Sequence, residues 1–151
     1  MNTRQLEYVM KKVPRAKFCG VFAENNLPRT LDVYPCGFIA NTDPKDQPGQ
    51  HWVAFYFPSV QKGEFCDSFG HPPEFYSPSF TTFLKQNCHE WTFNNKTLQS
   101  TLTTVCGEYC IFYLTHRARG VSKSHVVNCF TSNKIKNDHQ VYQFVMKLFT
   151  Q

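Results

Sequence analysis

Six consecutive residues, Trp52 to Phe57 (WVAFYF), carry no charged side chain and are almost wholly apolar or aromatic. A strand with one face in water alternates apolar and polar positions. A run without alternation, rich in β-formers, fits a central strand covered on both faces. That stretch alone demands apolar layers on two sides of a sheet. The chain can supply them: fifteen Phe, seven Tyr and two Trp are far too many aromatics for a disordered segment. Charged residues make up only 18%, which excludes a coiled coil or a solvated tail. A chain of 151 residues buries roughly 70% of its unfolded surface. It is therefore expected to form a single domain over 1–151, without a disulfide or metal staple.

Helices and strands alternate along the chain. Leu6, Val9, Met10 and Val13 form one apolar stripe of an opening helix that Pro14 ends. Pro35 to Asn41 reads as a buried strand, and Asp43 to Gln50, with Pro44, Pro48 and Gly49, as a loop. After Trp52–Phe57, Lys62-Gly63 marks a turn and Glu64 to Phe69 a return strand, ended by Gly70 to Pro73. Ser77 caps a helix with Pro78 at its first position. Trp91, Phe93 and Thr97 to Leu98 suggest another strand. Cys106 to Arg119 reads as a buried helix stopped by Gly120, since Tyr109, Ile111, Phe112, Tyr113 and Leu114 leave little room for a solvated face. Ser124 caps a short helix with Val127 and Phe130, and Val141, Phe144, Val145 and Leu148 mark a closing helix. The class is α+β, a small mixed sheet packed on helices.

Seven cysteines cannot all pair within one chain. The N-terminal residues lack a signal-peptide apolar core, and no run of 18 apolar residues could span a membrane. Together these imply free thiols in an intracellular reducing compartment, and make the Asn95-Lys96-Thr97 sequon an incidental match. Sixteen Lys and Arg against eleven Asp and Glu leave a net +5. This bias is compatible with DNA contact, but no basic motif accompanies it.

Cys106 stands where a polar loop of small residues (Gln99, Ser100, Thr101, Thr103, Thr104) turns into an apolar helix. A helix N-terminus offers unpaired N–H groups and the positive end of the macrodipole, which favour thiolate over thiol. Gly107 lets other chain segments approach closely. The bland alternative is a buried structural cysteine. A thiolate nucleophile needs a base, in practice a histidine. Of six histidines, His51 stands at the junction of a Pro/Gly loop and the aromatic strand. Asp67, sixteen residues later, is placed on a neighbouring strand by a hairpin, where it can orient an imidazole. Metal is the competing use of Cys and His. Cys106-x3-Cys110 has no partner pair at zinc spacing, so no metal site is expected.

Taken in order, His51-Trp52, Asp67-Ser68-Phe69-Gly70, and Gln99 seven residues before Cys106-Gly107 resemble the adenovirus endopeptidase (adenain) family. Its wider clan includes the ubiquitin-like-protein proteases. The resemblance runs from about Lys17 to Tyr113. It implies a papain-like, adenain-like cysteine protease fold with Cys106 as nucleophile, His51 as base and acid, Asp67 orienting the imidazole and Gln99 in the oxyanion hole. Asp67 stands where the adenovirus enzymes have Glu, and agrees instead with the ubiquitin-like-protein proteases. Trp52 and Gly107 would border a narrow cleft for glycine, and Cys110 matches a second family cysteine that packs. Cys88, eleven residues before Gln99, matches a cysteine that bonds an activating viral peptide. DNA is the other activator the resemblance implies, and no other cofactor is needed. The remaining cysteines, Cys19, Cys36, Cys66, Cys110 and Cys129, read as small apolar fillers.

The expected function is thus a thiol endopeptidase cleaving Gly-containing sites in viral capsid or core precursors, in the host nucleus or virion. A deconjugating isopeptidase acting on ubiquitin or a ubiquitin-like protein is the near alternative. A non-catalytic interaction or DNA-binding module on the same fold is the distant one.

Overall fold

The structure, a computed structural model, describes residues 1–14, 16–44 and 51–151. Most of the loop expected over Asp43 to Gln50 lies outside the described residues. Among these residues five strands form one mixed sheet in the order β1-β2-β3-β4-β5. They are β1 (Phe18–Phe22), β2 (Cys36–Asn41), β3 (Trp52–Phe57), β4 (Lys62–Cys66) and β5 (Glu90–Phe93). The inner pairs β2–β3 and β3–β4 are antiparallel, and the outer pairs β1–β2 and β4–β5 are parallel. The helices are α1 (Thr3–Lys11), α2 (Pro78–Asn87), α3 (Cys106–Ala118), α4 (Lys123–Asn128) and α5 (Lys134–Phe149). Among the described residues no helix is long and apolar enough to cross a membrane.

The WVAFYF run is central and covered on both faces, as its composition demands. Val53, Phe55 and Phe57 point into a phenylalanine-rich core with Phe38, Phe65 and, from α2, Phe80, Phe83 and Leu84. Phe55 stacks on Phe38 with centroids 4.7 Å apart and meets Phe80 edge-on at 5.3 Å. Ala54 and Tyr56 face the second core, built from Leu6 and Val9 of α1, Ile111 and Leu114 of α3, and Val141, Val145 and Leu148 of α5. α3 is tied to the sheet by a buried ion pair. Arg117 donates from Nε and Nη2 to the two oxygens of Glu64 on β4, at 2.8 and 2.7 Å, and the Tyr113 hydroxyl donates to the same carboxylate at 2.5 Å. A bidentate guanidinium–carboxylate pair fixes direction as well as distance, so the helix is oriented, not merely packed.

Several local expectations are corrected. β1 is unforeseen because it is a half-exposed edge strand whose alternation is broken at Gly20 (φ +138°), where the register to β2 shifts. Lys62-Gly63 is no turn but the start of β4, which ends at Cys66 instead of Phe69. Gly63 serves close approach instead: a Cβ there would lie 2.8 Å from the Cys88 sulfur and 3.0 Å from the Phe57 ring. Thr97 and Leu98 are not in a strand, although Leu98 N–H and Gln99 N–H both donate to the Ser68 carbonyl (2.8 and 3.0 Å). The cap of α4 is Ser122, whose hydroxyl accepts from His125 N–H; Ser124 lies inside the helix. Cys19 and Cys129 are exposed and are not fillers, since one sits on the β1 edge and the other at the C-cap of α4.

Candidate functional site

Antiparallel pairing sets the frame. Ala54 lies opposite Cys66, so the start of β3 and the end of β4 share one edge of the sheet. His51 immediately precedes β3, and Asp67 immediately follows β4. Their side chains meet there, with His51 Nε2 2.6 Å from Asp67 Oδ1.

Asp67 is fully buried, and four donors hold its carboxylate. Oδ1 accepts from His51 Nε2 and from Phe69 N–H at 3.1 Å. Oδ2 accepts from the Tyr76 hydroxyl at 2.6 Å and from His71 N–H at 3.0 Å. Asn94 fixes the backbone from both sides: its Oδ1 accepts from Asp67 N–H at 3.0 Å, and its Nδ2 donates to Asp67 O at 2.6 Å. Burial disfavours the carboxylate, but the His51, Tyr76 and Phe69 hydrogen bonds outweigh it and hold the Asp67 carboxyl below its usual range.

The Asp-x-Phe-Gly sequence acquires a physical meaning in this turn. Gly70 N–H donates to Asp67 O at 2.9 Å, and Gly70 adopts φ +79° with its α-carbon against the backbone of Lys96. A Cβ there would lie 2.6 Å from the Lys96 carbonyl carbon. Gly70→Ala combines left-handed strain with a clash against backbone. It is expected to cost at least about 2 kcal/mol in urea unfolding.

The His51 ring lies between polar partners and aromatic walls. Phe69 stacks on it at 5.0 Å and Tyr76 is tilted against it at 5.5 Å. Burial opposes its charge, but the Asp67 carboxylate and the Cys106 thiol, both hydrogen-bond partners, outweigh burial and raise its pKa from 6.5 to about 9. The imidazole is hydrogen-bonded to both Asp67 and Cys106, and these partners favour its protonated form.

Cys106 opens α3 and is buried. Side chains cap α1 (Asn2), α2 (Ser77), α4 (Ser122) and α5 (Asn133). Among the described α-helices, α3 alone has no side-chain cap, because Val105 stands at its N-cap. The buried Glu108 carboxylate takes the N–H of its own residue in the first turn, and the other first-turn N–H groups have no side-chain cap to meet them. Gln99 is buried beside this region. Its Nε2 donates to the Thr103 carbonyl at 3.1 Å, and its Oε1 accepts from the Ser68 hydroxyl at 2.6 Å. A carbonyl can only accept, so this pairing fixes which way the amide faces.

Trp52 and Gly107, expected to border a cleft, pack against the N-terminal segment and α1. Trp52 Nε1 donates to the Met1 carbonyl at 3.0 Å. A Cβ on Gly107 would lie 3.1 Å from Leu6 and 3.4 Å from Met1 and Trp52, so the glycine admits Leu6, Met1 and the indole at close quarters. Cys88 is buried, with its thiol donating to the Leu84 carbonyl at 3.2 Å and its sulfur against β4 at Gly63. An intermolecular disulfide would require it to turn outward. Cys110 is buried against α3's neighbours, and burial pushes its thiol pKa well up. Sequence reasoning missed Tyr76, Asn94, Ser68 and Thr103, whose roles depend on partners brought close only by the fold.

No family model matches the chain. A cysteine protease of African swine fever virus, from a Malawi tick isolate, is 32% identical over 127 residues, covering 76% of this chain and 45% of the relative. The counterpart from a Kenyan pig isolate, named as a SUMO-1 cysteine protease, is 31% identical over the same coverage. The chain is homologous to a viral cysteine protease. It spans about half the length of these curated relatives.

Crystal structures of the viral protease share its fold. One aligns with TM-score 0.58 at 21% identity, covering 97% of this chain and 63% of that one. A second, the selenomethionine form, gives 0.50 at 26% identity over 75% of this chain and 43% of that one. The central domain of an uncharacterized Legionella pneumophila protein gives 0.54 at 12% identity, covering 100% and 98%. The fold is thus the α+β fold of the viral cysteine protease, matching the class expected from the sequence.

Proposed function

We propose that this chain is an adenain-like cysteine endopeptidase that cleaves after small, Gly-containing sequences in viral capsid or core precursor proteins. The observation that carries the reading is a buried His51 bridging Cys106 and Asp67 beside an uncapped helix N-terminus. Cys106 attacks the scissile carbonyl as a thiolate, and His51 protonates the leaving amine. A water then enters, His51 takes its proton, and the thioester is hydrolysed to acid and free thiol. Asp67 holds the imidazolium. Gln99 has two amide hydrogens; the Thr103 carbonyl and, more weakly, its hydroxyl share one, and the other would donate to the oxyanion together with the Cys106 N–H. Trp52 and Gly107 restrict the cleft to residues without a bulky side chain.

One specific observation favours a second reading. A relative bears the name of a SUMO-1 cysteine protease. In that reading the same machinery removes a ubiquitin-like protein from its conjugates. A fluorogenic Gly-Gly-x-Gly precursor peptide and a SUMO or ubiquitin C-terminal reporter, assayed side by side, separate the two. The endopeptidase reading predicts kcat/KM at least about tenfold higher on the peptide, a preference of about 1.4 kcal/mol in transition-state binding. The reverse preference favours deconjugation, and hydrolysis of neither favours a non-catalytic module.

A further inference from the structure

We propose that Asp138, on α5, is a positioning residue that clamps the loop carrying Gln99. This rests on the protease reading and extends it into a segment to which no function had been attached. Asp138 is buried, and it gathers three donors from α3 and the loop. Its Oδ1 accepts from the Tyr109 hydroxyl of α3 at 2.7 Å. Its Oδ2 accepts from the Thr103 hydroxyl at 2.8 Å and, more weakly, from Ser100 N–H at 3.2 Å. The neighbouring Asn137 is buried too, and its Nδ2 donates to the carbonyls of Leu98 (3.1 Å) and Thr131 (2.8 Å). Both ends of the loop from Leu98 to Thr103 are therefore tied to α5.

The clamp reaches Gln99 through Thr103. A carboxylate only accepts, so the Thr103 hydroxyl donates to Asp138, leaving its lone pairs facing the Gln99 amide at 3.4 Å. The Thr103 carbonyl takes the stronger bond from Gln99 Nε2. On the other side Ser68, next to Asp67, holds Gln99 Oε1. The amide plane is thus set between the β4 end and α5. An oxyanion donor works only when fixed at the place where charge develops, and small misplacements are costly. Beyond Leu98, which is buried in the core, the loop has no apolar anchor, and Leu102 at its tip is 85% exposed.

The test is a double-mutant comparison on the full chain. Asp138→Ala is expected to lower kcat on the Gly-containing peptide roughly tenfold while KM stays within about twofold. Alkylation of Cys106 by iodoacetamide forms no oxyanion, so its rate, read on the Cys106 peptide by mass spectrometry, is expected to hold. In a Gln99→Ala background, Asp138→Ala is expected to add nothing. Asp138→Asn keeps the volume and one acceptor, and serves if the alanine variant does not fold. It is expected to show the same kcat loss in smaller measure. A loss of kcat that multiplies with Gln99→Ala, or alkylation that slows in step, overturns the clamp and leaves the protease reading intact. A wild-type chain that hydrolyses no reporter overturns the protease reading, and the clamp with it.

Discussion

Cys106→Ser is expected to lower kcat/KM on a Gly-containing peptide by at least about 10⁴-fold, with the fold retained. The side chains are nearly isosteric, and the buried site offers the hydroxyl the same His51 partner. A serine hydroxyl is far less acidic than a thiol, however. The imidazole of this site is set to rest protonated beside an anion, which suits a thiolate and disables it as a base toward an alcohol. His51→Ala is expected to fall as far, since it removes the group that supplies the proton to the leaving amine. Steady-state kinetics with thermal unfolding as a control separates loss of chemistry from loss of fold. The two substitutions together are expected to cost little more than either alone, because they disable one unit.

Asp67→Asn is expected to cost on the order of 10²–10⁴-fold in kcat/KM and to move the alkaline limb of the pH profile to lower pH. The carboxylate accepts from four donors, two on each oxygen. An amide can accept on one oxygen only, so its nitrogen must face N–H groups on one side. With the negative charge gone, burial is opposed only by Cys106, and the His51 pKa falls from about 9. In the wild type, loss of the imidazolium is expected to set the alkaline limb near pH 9.

The same groups link stability to pH. His51 has a folded pKa above its ordinary 6.5, so its contribution is complete below that value and lost as pH rises through about 9. Asp67 has a folded pKa below its ordinary 3.8, so its contribution is present above that value and lost as pH falls through the folded one. Asp67→Asn is expected to remove the acid dependence and to shrink the alkaline one, since Cys106 still faces His51. Urea unfolding at pH 6 and pH 9 checks this, and an unchanged difference between the two would contradict the assigned coupling.

Much of the framework was legible because burial leaves a compositional trace. WVAFYF reads correctly since each of its faces meets a different apolar core. Ser77 reads correctly as a cap because its partner is two residues away. The His51–Asp67 contact follows from the hairpin that joins β3 to β4. β1 escaped notice because Gly20 breaks its alternation and its side chains are at most half-buried. Tyr76 and Asn94 escaped because their value lies in reaching Asp67 across 9 and 27 residues, which no local pattern encodes. Asp138 did leave a signal. It falls on the same stripe of α5 as Val141, Val145 and Leu148, and a carboxylate on a buried stripe needs partners. The cysteines divide along the same line: buried Cys66 and Cys110 pack, whereas exposed Cys19 and Cys129 have no apolar setting to betray them.

Cys106 is proposed as the nucleophile of a cleft that admits a Gly-Gly chain. A Gly-Gly peptide bearing a thiol-reactive electrophile at the scissile position tests it most directly, read by mass spectrometry on the intact chain and its peptides. One adduct is expected, on Cys106, absent in Cys106→Ser and sharply slowed in His51→Ala. Labelling of exposed Cys19 or Cys129 in preference to Cys106, or labelling that ignores His51, would contradict it.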